Sequence, residues 1–384
     1  MGNTAAVPLW HHPGQYGAAA QTAQLCRALL RDPRHGDGRP WYSEAAARAC
    51  PGPGRAGRRG GADRPRHRRP FRLLRRPAAG IRPVSCRIDI CVCTFRRPML
   101  SETLATLQAV EPPPGCSLHL LVVDNDDTPS ARAIAEQAAL PFPVTYIHAP
   151  ARNISVARNA GLEAACGRFL AFLDDDEMAT PGWLRHLYAK AEDSSADAVF
   201  GPAVSIYPEG TEDWMISGDY HSTKPPPQPG PVQTGCTANV LIRRRAPSVA
   251  GLRFDPGLGR SGGEDTVFFR QVYARGGVLR FAPLALVYEK VAPQRLSLGW
   301  LLQRRLRAGQ SHAHARILTS SAPLRTRAGL LLAALAKGGF CAAMSGLQAA
   351  SKPRRNFWLI RGALHLGTAS KCFGMREQVL YGGT

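Results

Sequence analysis

Phe172-Leu173-Asp174-Asp175-Asp176-Glu177 is the stretch on which the reading of this chain turns. Four acids follow directly on residues 168–173, an apolar run of the kind that forms a buried strand. Open α/β sheets bind ligands beyond the carboxyl ends of their strands, so such a strand delivers clustered carboxylates to that edge. Clustered carboxylates repel one another and call for a cation. A divalent metal that also holds a diphosphate satisfies them, because Mg²⁺ or Mn²⁺ takes one or two carboxylates together with phosphate oxygens. The plainer alternative is a solvated acidic turn, since helix N-termini attract acids and a helix is expected from Pro181.

Outward from this stretch, strand and helix patterns alternate. Upstream, Ile88-Asp89-Ile90-Cys91-Val92-Cys93-Thr94 reads as a buried parallel strand, with Cys91 and Cys93 on one face as packing. Residues 98–109 read as a helix, with Leu100, Leu104 and Leu107 at helical spacing. Residues 118–123 form a second strand ending at Asp124-Asn125-Asp126-Asp127, where Asp126 and Asp127 are expected as solvated turn residues. A helix over 130–139, a strand over 144–148 and a helix over 155–165 complete the run. Alternation with short links predicts an α/β fold, a doubly wound, mostly parallel sheet flanked by helices. Downstream the spacing predicts a helix over 183–192, a strand over 198–207 and a mobile Pro-rich loop over 211–233. A strand over 238–242 and a Gly-rich loop over 257–263 lead to Glu264-Asp265, which open a helix over 266–275. One or two strands over 279–289 and a basic helix over 300–314 follow.

The chain has 384 residues, 44% of them hydrophobic, a net charge of +21 and a pI near 10.3. The first 87 residues carry 17 Arg, no Lys and four acids, and so hold most of the excess. Residues 1–86 are rich in Arg, Pro and Gly without periodicity, the composition of a disordered polybasic arm or of non-native sequence upstream of a later start. No N-terminal apolar core follows a basic start, so no secretory signal is expected. The ten cysteines include no CxxC pair, which fits reduced, cytosolic thiols. Residues 328–350 hold a single charge, Lys337, between basic flanks. A spanning helix needs ~20 apolar residues, so a single span is open, as are an ordinary core helix and an interfacial amphipathic helix; Lys337, Gly338-Gly339 and Ser345 favour the last.

A diphosphate held beside the acid cluster needs hydrogen-bond donors and neutralising charge. The turn Thr94–Pro98 can offer backbone N–H groups and Arg97 to phosphate. Arg158 can brace a diphosphate or the acid cluster, or serve a structural ion pair. Taken in order, Val92-Cys93-Thr94-Phe95-Arg96-Arg97-Pro98, Val122-Val123-Asp124-Asn125, Asn153 through Arg158-Asn159-Ala160-Gly161, Phe172-Leu173-Asp174-Asp175-Asp176 and Gly263-Glu264-Asp265 resemble the inverting, family-2 nucleotide-sugar glycosyltransferases, within them the succinoglycan-type exopolysaccharide branch. Each motif alone is weak; five in register are strong. The likeness covers residues 87 to about 315, leaving 316–384 as a helical membrane-associating region.

The resemblance implies a single GT-A type, Rossmann-like domain using a UDP-sugar, with a polyprenyl-diphosphate-linked oligosaccharide as acceptor at the cytoplasmic membrane face. It implies donor contacts from Thr94, Phe95, Arg97 and Arg158, and Asp124 as acceptor of the uracil ring N–H. In the family's D-x-D pattern Asp174 and Asp176 hold Mg²⁺ or Mn²⁺, with Asp174 also toward ribose or sugar hydroxyls and Asp175 in the variable position. Asp265 is the implied general base, with Glu264 beside it; the bland alternative is that both acids only cap a helix. Processive members carry Gln-x-x-Arg-Trp near the position of Gln303-Arg304-Arg305-Leu306-Arg307, and its absence fits addition of one sugar at a time. These arginines are expected at a diphosphate or on anionic membrane. His312 and His314, two apart, share no helix face. The overall charge motivates a nucleic-acid-binding alternative, but no recognised module is visible and no nucleic-acid partner is expected. A nucleotidyltransferase would want a Gly-rich loop with Lys after the first strand, and that loop is missing.

Overall fold

The structure, a computed structural model, describes residues 86–224 and 231–375. The Arg-rich segment before Cys86, with its two readings, lies outside the described residues.

The apolar runs that can bury both faces pair side by side. β1 (Cys86–Thr94), β2 (Cys116–Asp124), β3 (Val144–His148) and β4 (Phe169–Asp174) are parallel and lie in the order β3-β2-β1-β4. Helices α1 (Leu100–Leu107), α2 (Arg132–Glu136) and α3 (Ile154–Ala164) make the crossovers. Register sets Thr94 beside Asp124 and Cys93 beside Asp174, so three strand ends share one edge. Beyond β4 the sheet continues through β8 (Asn239–Arg243), β6 (Ala198–Phe200) and β9 (Leu279–Phe281). β8 runs antiparallel to both β4 and β6, and every other pairing in this sheet is parallel.

Alternate side chains enter two apolar layers. Ile88, Ile90, Val92 and Leu120 face Leu104 of α1 and Trp183 and Leu187 of α4 (Trp183–Asp193). Cys91, Leu121, Leu170 and Phe172 face Phe254, Phe268 and Phe269. The last two lie on α6 (Glu264–Ala274), and Phe254 stacks on Phe268 with ring centroids 4.3 Å apart. Gly161 lets α3 approach the sheet: a Cβ there would lie 2.4 Å from Cys91 Sγ.

Two expectations need correction. Residues 198–207 are not one strand. Gly201-Pro202 break the run, and β7 (Ala203–Ile206) joins β10 (Val287–Lys290) and β5 (Glu177–Ala179) in a second, small sheet ordered β5-β10-β7. A Cβ on Gly201 would lie 2.3 Å from the Ala285 carbonyl, so the break is sterically fixed. The region read as a loop over 211–233 contains α5 (Asp213–Gly218), anchored by buried Trp214 and Met215 against Leu301 and Ile360.

The C-terminal part is a helical hairpin laid on a long helix. α7 (Leu298–Leu318) is crossed by α9 (Lys352–Cys372), which also packs along α8 (Pro323–Leu347). The α7–α9 crossing is backbone on backbone: a Cβ on Gly309 would lie 2.0 Å from the Leu364 carbonyl, and one on Gly367 would lie 1.8 Å from that of Leu306. Gln310 Nε2 donates to Ser370 Oγ (3.1 Å) beside it. The boundary expected after residue 315 falls inside α7. α8 is long and apolar enough to cross a membrane by length and composition, with a mean hydropathy of 1.6 in its most apolar window and 11% of that window buried. Leu332 (69%) and Leu347 (80%) lie open to solvent, which disfavours the core-helix alternative for 328–350.

Candidate active site

The chain turns sharply at the end of β4. The main-chain N–H of Asp174 donates to Glu177 Oε2 (3.1 Å), closing the acidic turn before β5 begins. Asp175, assigned to the variable position, is the acid that points inward. Its Oδ2 accepts from Thr94 Oγ1 (2.7 Å), its main-chain carbonyl accepts from Thr103 Oγ1 (2.9 Å), and Arg97 lies 3.8 Å from Oδ1. The Phe95 backbone N–H also serves it. Asp176 faces Arg97 Nη1 (3.1 Å) and Arg295 Nη2 (3.5 Å). Asp174 lies deep among protein groups, yet 43% of its side chain stays open to solvent.

Burial dominates the local electrostatics, and crowded negative charge adds to it. Burial pushes the Asp174 carboxyl up to about 7, opposed by Arg158 and reinforced by Asp176, Asp175 and Glu289. Burial likewise raises Asp175 to about 6 against the pull of Thr94 and Arg97. Glu177, buried, and Glu289, its partner across the β5–β10 pair, are both raised, first by burial and then by neighbouring acids.

Arg158 joins this edge to the start of α6. Its buried guanidinium ion-pairs with Glu264 and lies 3.7 Å from Asp174. Burial outweighs Arg158 and pushes Glu264 up to about 7, whereas burial pulls Arg158 down and is overcome by Glu264 and Asp174, so the guanidinium stays charged. Glu264 Oε2 is buried without a hydrogen-bond partner. Asp265, one residue on, is half-buried, and its Oδ1 accepts from the Thr266 N–H (2.5 Å) and Oγ1 (3.2 Å). The turn into α6 requires glycine, because Gly262 and Gly263 have φ of 87° and 88°. A Cβ on Gly263 would also lie 2.3 Å from Ser311 Oγ of α7, so α7 buttresses this end of the cleft.

Because β8 is reversed, residues 244–263 must return across the depth of the sheet to bring Glu264 to the acidic edge. Side chains of the Asn153–Asn159 motif stitch that return to α3. Asn159 exchanges two 2.8 Å hydrogen bonds with the Phe254 backbone. Asn153 Nδ2 donates to Pro256 O (2.9 Å) and Ser155 Oγ to Asp255 O (2.7 Å).

Thr94, Phe95, Arg97, Arg158, Asp174, Asp175, Asp176, Glu264 and Asp265 thus share one end of the sheet. Asp124 does not present an open acceptor there. It is fully buried, and its carboxylate accepts from Ala131 N (2.7 Å), Tyr146 Oη (2.9 Å) and Asp126 N (3.1 Å), so it ties the 126–131 loop from behind. Asp126 is not a solvated turn residue either: it is buried, receives Arg96 Nε (2.9 Å), and is held down to about 2, chiefly by that contact. Asp127 is exposed as expected, paired with Arg152. Arg304 props the fold, donating to the His221 carbonyl (2.9 Å) and lying over the Trp300 ring (5.4 Å). Three residues at the cleft escaped sequence reasoning: Glu289, Arg295 and Cys236. Burial, and after it Asp265, Asp174 and Glu177, push the Cys236 thiol up. Glu177 was legible as the fourth acid of the run; the three carry no local signature.

Residues 89–248 match glycosyl transferase family 2. Succinoglycan biosynthesis protein ExoM of Rhizobium meliloti (strain 1021) is 46% identical over 297 residues, covering 77% of this chain and 96% of its own length. Succinoglycan biosynthesis protein ExoO of the same organism is 36% identical over 84 residues, 21% of this chain and 24% of ExoO. Among solved structures, mannosyltransferase PcManGT from Pyrobaculum calidifontis, in complex with GDP-Man and Mn²⁺, shares the fold with a TM-score of 0.51 at 17% identity, covering 79% of this chain and 92% of that one.

Proposed function

The chain belongs to glycosyl transferase family 2, and on that footing we propose that it moves a hexose, glucose in the first instance, from a UDP-sugar to a hydroxyl of a polyprenyl-diphosphate-linked oligosaccharide. Transfer inverts the anomeric configuration and adds one sugar per turnover, at the cytoplasmic face of the membrane, in exopolysaccharide assembly. The observation that carries this reading is the Arg158 bridge, which draws Glu264-Asp265 toward the carboxylate Asp174.

The donor set fits a divalent cation. Asp174, Asp175, Asp176, Glu177, Glu289, Glu264 and Asp265 outnumber Arg97, Arg158, Arg295 and Arg304, and neighbouring acids add to the burial that raises the Asp174 and Glu289 carboxyls. Among the described residues no group of three or more His, Cys, Asp or Glu is arranged to hold a metal unaided. That suits an ion completed by substrate oxygens. Asp176 and Asp174 would hold Mg²⁺ or Mn²⁺ with the diphosphate, and the ion supplies Lewis-acid stabilisation of charge on the leaving group.

The remaining steps belong to this chain's own groups. Backbone N–H groups of the Thr94–Pro98 turn and the Arg97 and Arg295 guanidiniums, now held at Asp176, neutralise the diphosphate. Phe95 and Thr94 line the nucleotide side, and Asp124 shapes it from behind. Asp265 takes the proton of the acceptor hydroxyl as that oxygen attacks the anomeric carbon in line. One displacement converts an α-linked donor to a β-linkage. Glu264 positions Arg158 rather than exchanging protons with the acceptor.

Calorimetric titration with UDP-glucose, UDP-galactose and ADP-glucose, with and without Mn²⁺, tests the reading. Metal-dependent binding of a UDP-sugar is the expected result. Failure of every donor to bind folded protein, in the presence of acceptor lipid, would remove it.

A further inference from the structure

Residues 291–375 contain 13 Lys and Arg and no Asp or Glu. Within that block α8 keeps one side covered and the other bare. Ala334, Cys341 and Ser345 are its buried residues. With about 3.6 residues per turn, Leu332, Ala343 and Leu347 fall on the opposite side, and all are exposed. Leu335 and Phe340 flank them, also exposed. From Ala328 to Leu347 the charge on α8 is Lys337 alone. Exposed cations stand at both ends: Arg325 before this apolar face and Arg354 after it, with Arg361 further along α9 and Lys352 paired with Glu212.

We infer that α8 docks in the plane of an anionic lipid leaflet. Its apolar face enters the headgroup–acyl boundary, and the surrounding Lys and Arg meet anionic headgroups. The inference deepens the proposed use of a membrane-borne acceptor and rests on that reading only for its purpose. Charge and shape select this occupant. An apolar stripe rimmed by cations, in a block without acids, matches the chemistry of an anionic bilayer surface. A nucleic acid would match the cations and leave the leucines in water. Packing selects the orientation. α8 lies along α9 with Phe340 against Trp358 (5.4 Å between centroids) and Gly338 beside His365. Were α8 to span, α9 would carry Arg361 and His365 toward the bilayer centre, where ionisable groups are costly. Lying flat keeps them at headgroup level. It also leaves α9 on α7, whose Ser311 touches Gly263 at the entrance to the cleft.

The test is co-sedimentation of the full chain with phosphatidylcholine vesicles, with and without phosphatidylglycerol, in parallel with the Leu332→Glu/Leu335→Glu variant. Both leucines are exposed, so the fold tolerates the change. The expected result is binding that needs phosphatidylglycerol, weakens with salt, releases in alkaline carbonate, and falls by at least ~10-fold in the variant, since two leucines no longer leave water. Unchanged binding by the variant overturns the inference, as does retention after carbonate, which would mark a span. A dimer in lipid-free solution that the variant dissolves would assign the face to a second copy. RNA or DNA affinity that competes with vesicles and falls in the variant would assign it to nucleic acid. UDP-sugar binding is read on the same samples: its absence with intact vesicle docking defeats the proposed transfer alone, and its presence without docking defeats this inference alone.

Discussion

Two regions of the molecule treat charge in opposite ways. Residues 88–290 carry 18 Lys and Arg against 23 Asp and Glu, and seven of these acids gather around the end of β4 and the start of α6. Residues 291–375 carry 13 cations and no acid. Large apolar groups are sorted too: Trp183, Phe254 and Phe268 are wholly enclosed in the first region, while Leu324, Leu332 and Leu347 lie open in the second. The net charge of +21 is therefore a poor guide to what either surface attracts. Screening confines a surface charge to about 8–10 Å in physiological salt, so each region presents its own sign to its own ligand. In the proposed reading an acidic cleft gathers a metal and its diphosphate, and a basic apolar hairpin gathers lipid.

The strongest way to break that division is to damage one side and read both. Asp265→Asn should lower transfer by roughly 10²–10⁴-fold, the usual worth of a positioned base, while calorimetry finds UDP-sugar binding intact. Near-normal turnover would exclude Asp265 as the base. Asp176→Ala should weaken metal-dependent donor binding at least as much as the ~10–100-fold that loss of an outer-shell partner costs a metal site; equal affinities with and without Mn²⁺ in the parent protein would sink the assignment. Gly367→Val pushes a side chain into the Leu306 backbone. Overpacking of that kind costs about 1–3 kcal/mol. It should lower the melting temperature and expose the hairpin to protease with donor affinity kept, and a fall in donor affinity as large as that of Asp176→Ala would show that the regions are not separable.

The smallest effect concerns pH. In the native protein burial holds Glu264 near 7, against 4.5 for the ordinary group. Across that interval the native state keeps a proton that the unfolded chain has released, so this stabilisation is complete below about 4.5 and is lost as pH rises through 7. Glu264→Gln has nothing to titrate there, and its melting temperature should fall less steeply over the same interval. Parallel slopes for variant and parent would show that Glu264 titrates elsewhere.

Much of the donor half was legible in the sequence because its strands are buried on both faces and end in acids. β1, β2, β3 and β4 announce themselves as apolar runs, and the acid run fixes which end of the sheet matters. The acceptor half was harder to read. A five-residue apolar strand such as β8 carries no mark of its direction, so neither its reversal nor the long return to Gly263 could be seen. Asp126 looked solvated because its partner, Arg96, lies 30 residues away in sequence. Asp124 looked available because a strand end says nothing about Tyr146 across the neighbouring strand. The acid-free C-terminal block was overshadowed by the denser arginine run at the other end of the chain, and charge counted over a whole sequence hides such blocks.

The stitching of residues 254–259 to α3 bears on inheritance. Everything assigned to the donor is encoded before residue 180, apart from Glu289 and Arg295, and the residues beside the incoming hydroxyl are encoded after residue 257. Asn153, Ser155 and Asn159 are the seam. A lineage that keeps the seam can exchange the later segment for another and meet a new acceptor without relearning its nucleotide. A chimera carrying a foreign segment from Gly257 to Ala274 should then retain the parent's donor preference, and a switch of donor would show that the two halves evolve as one.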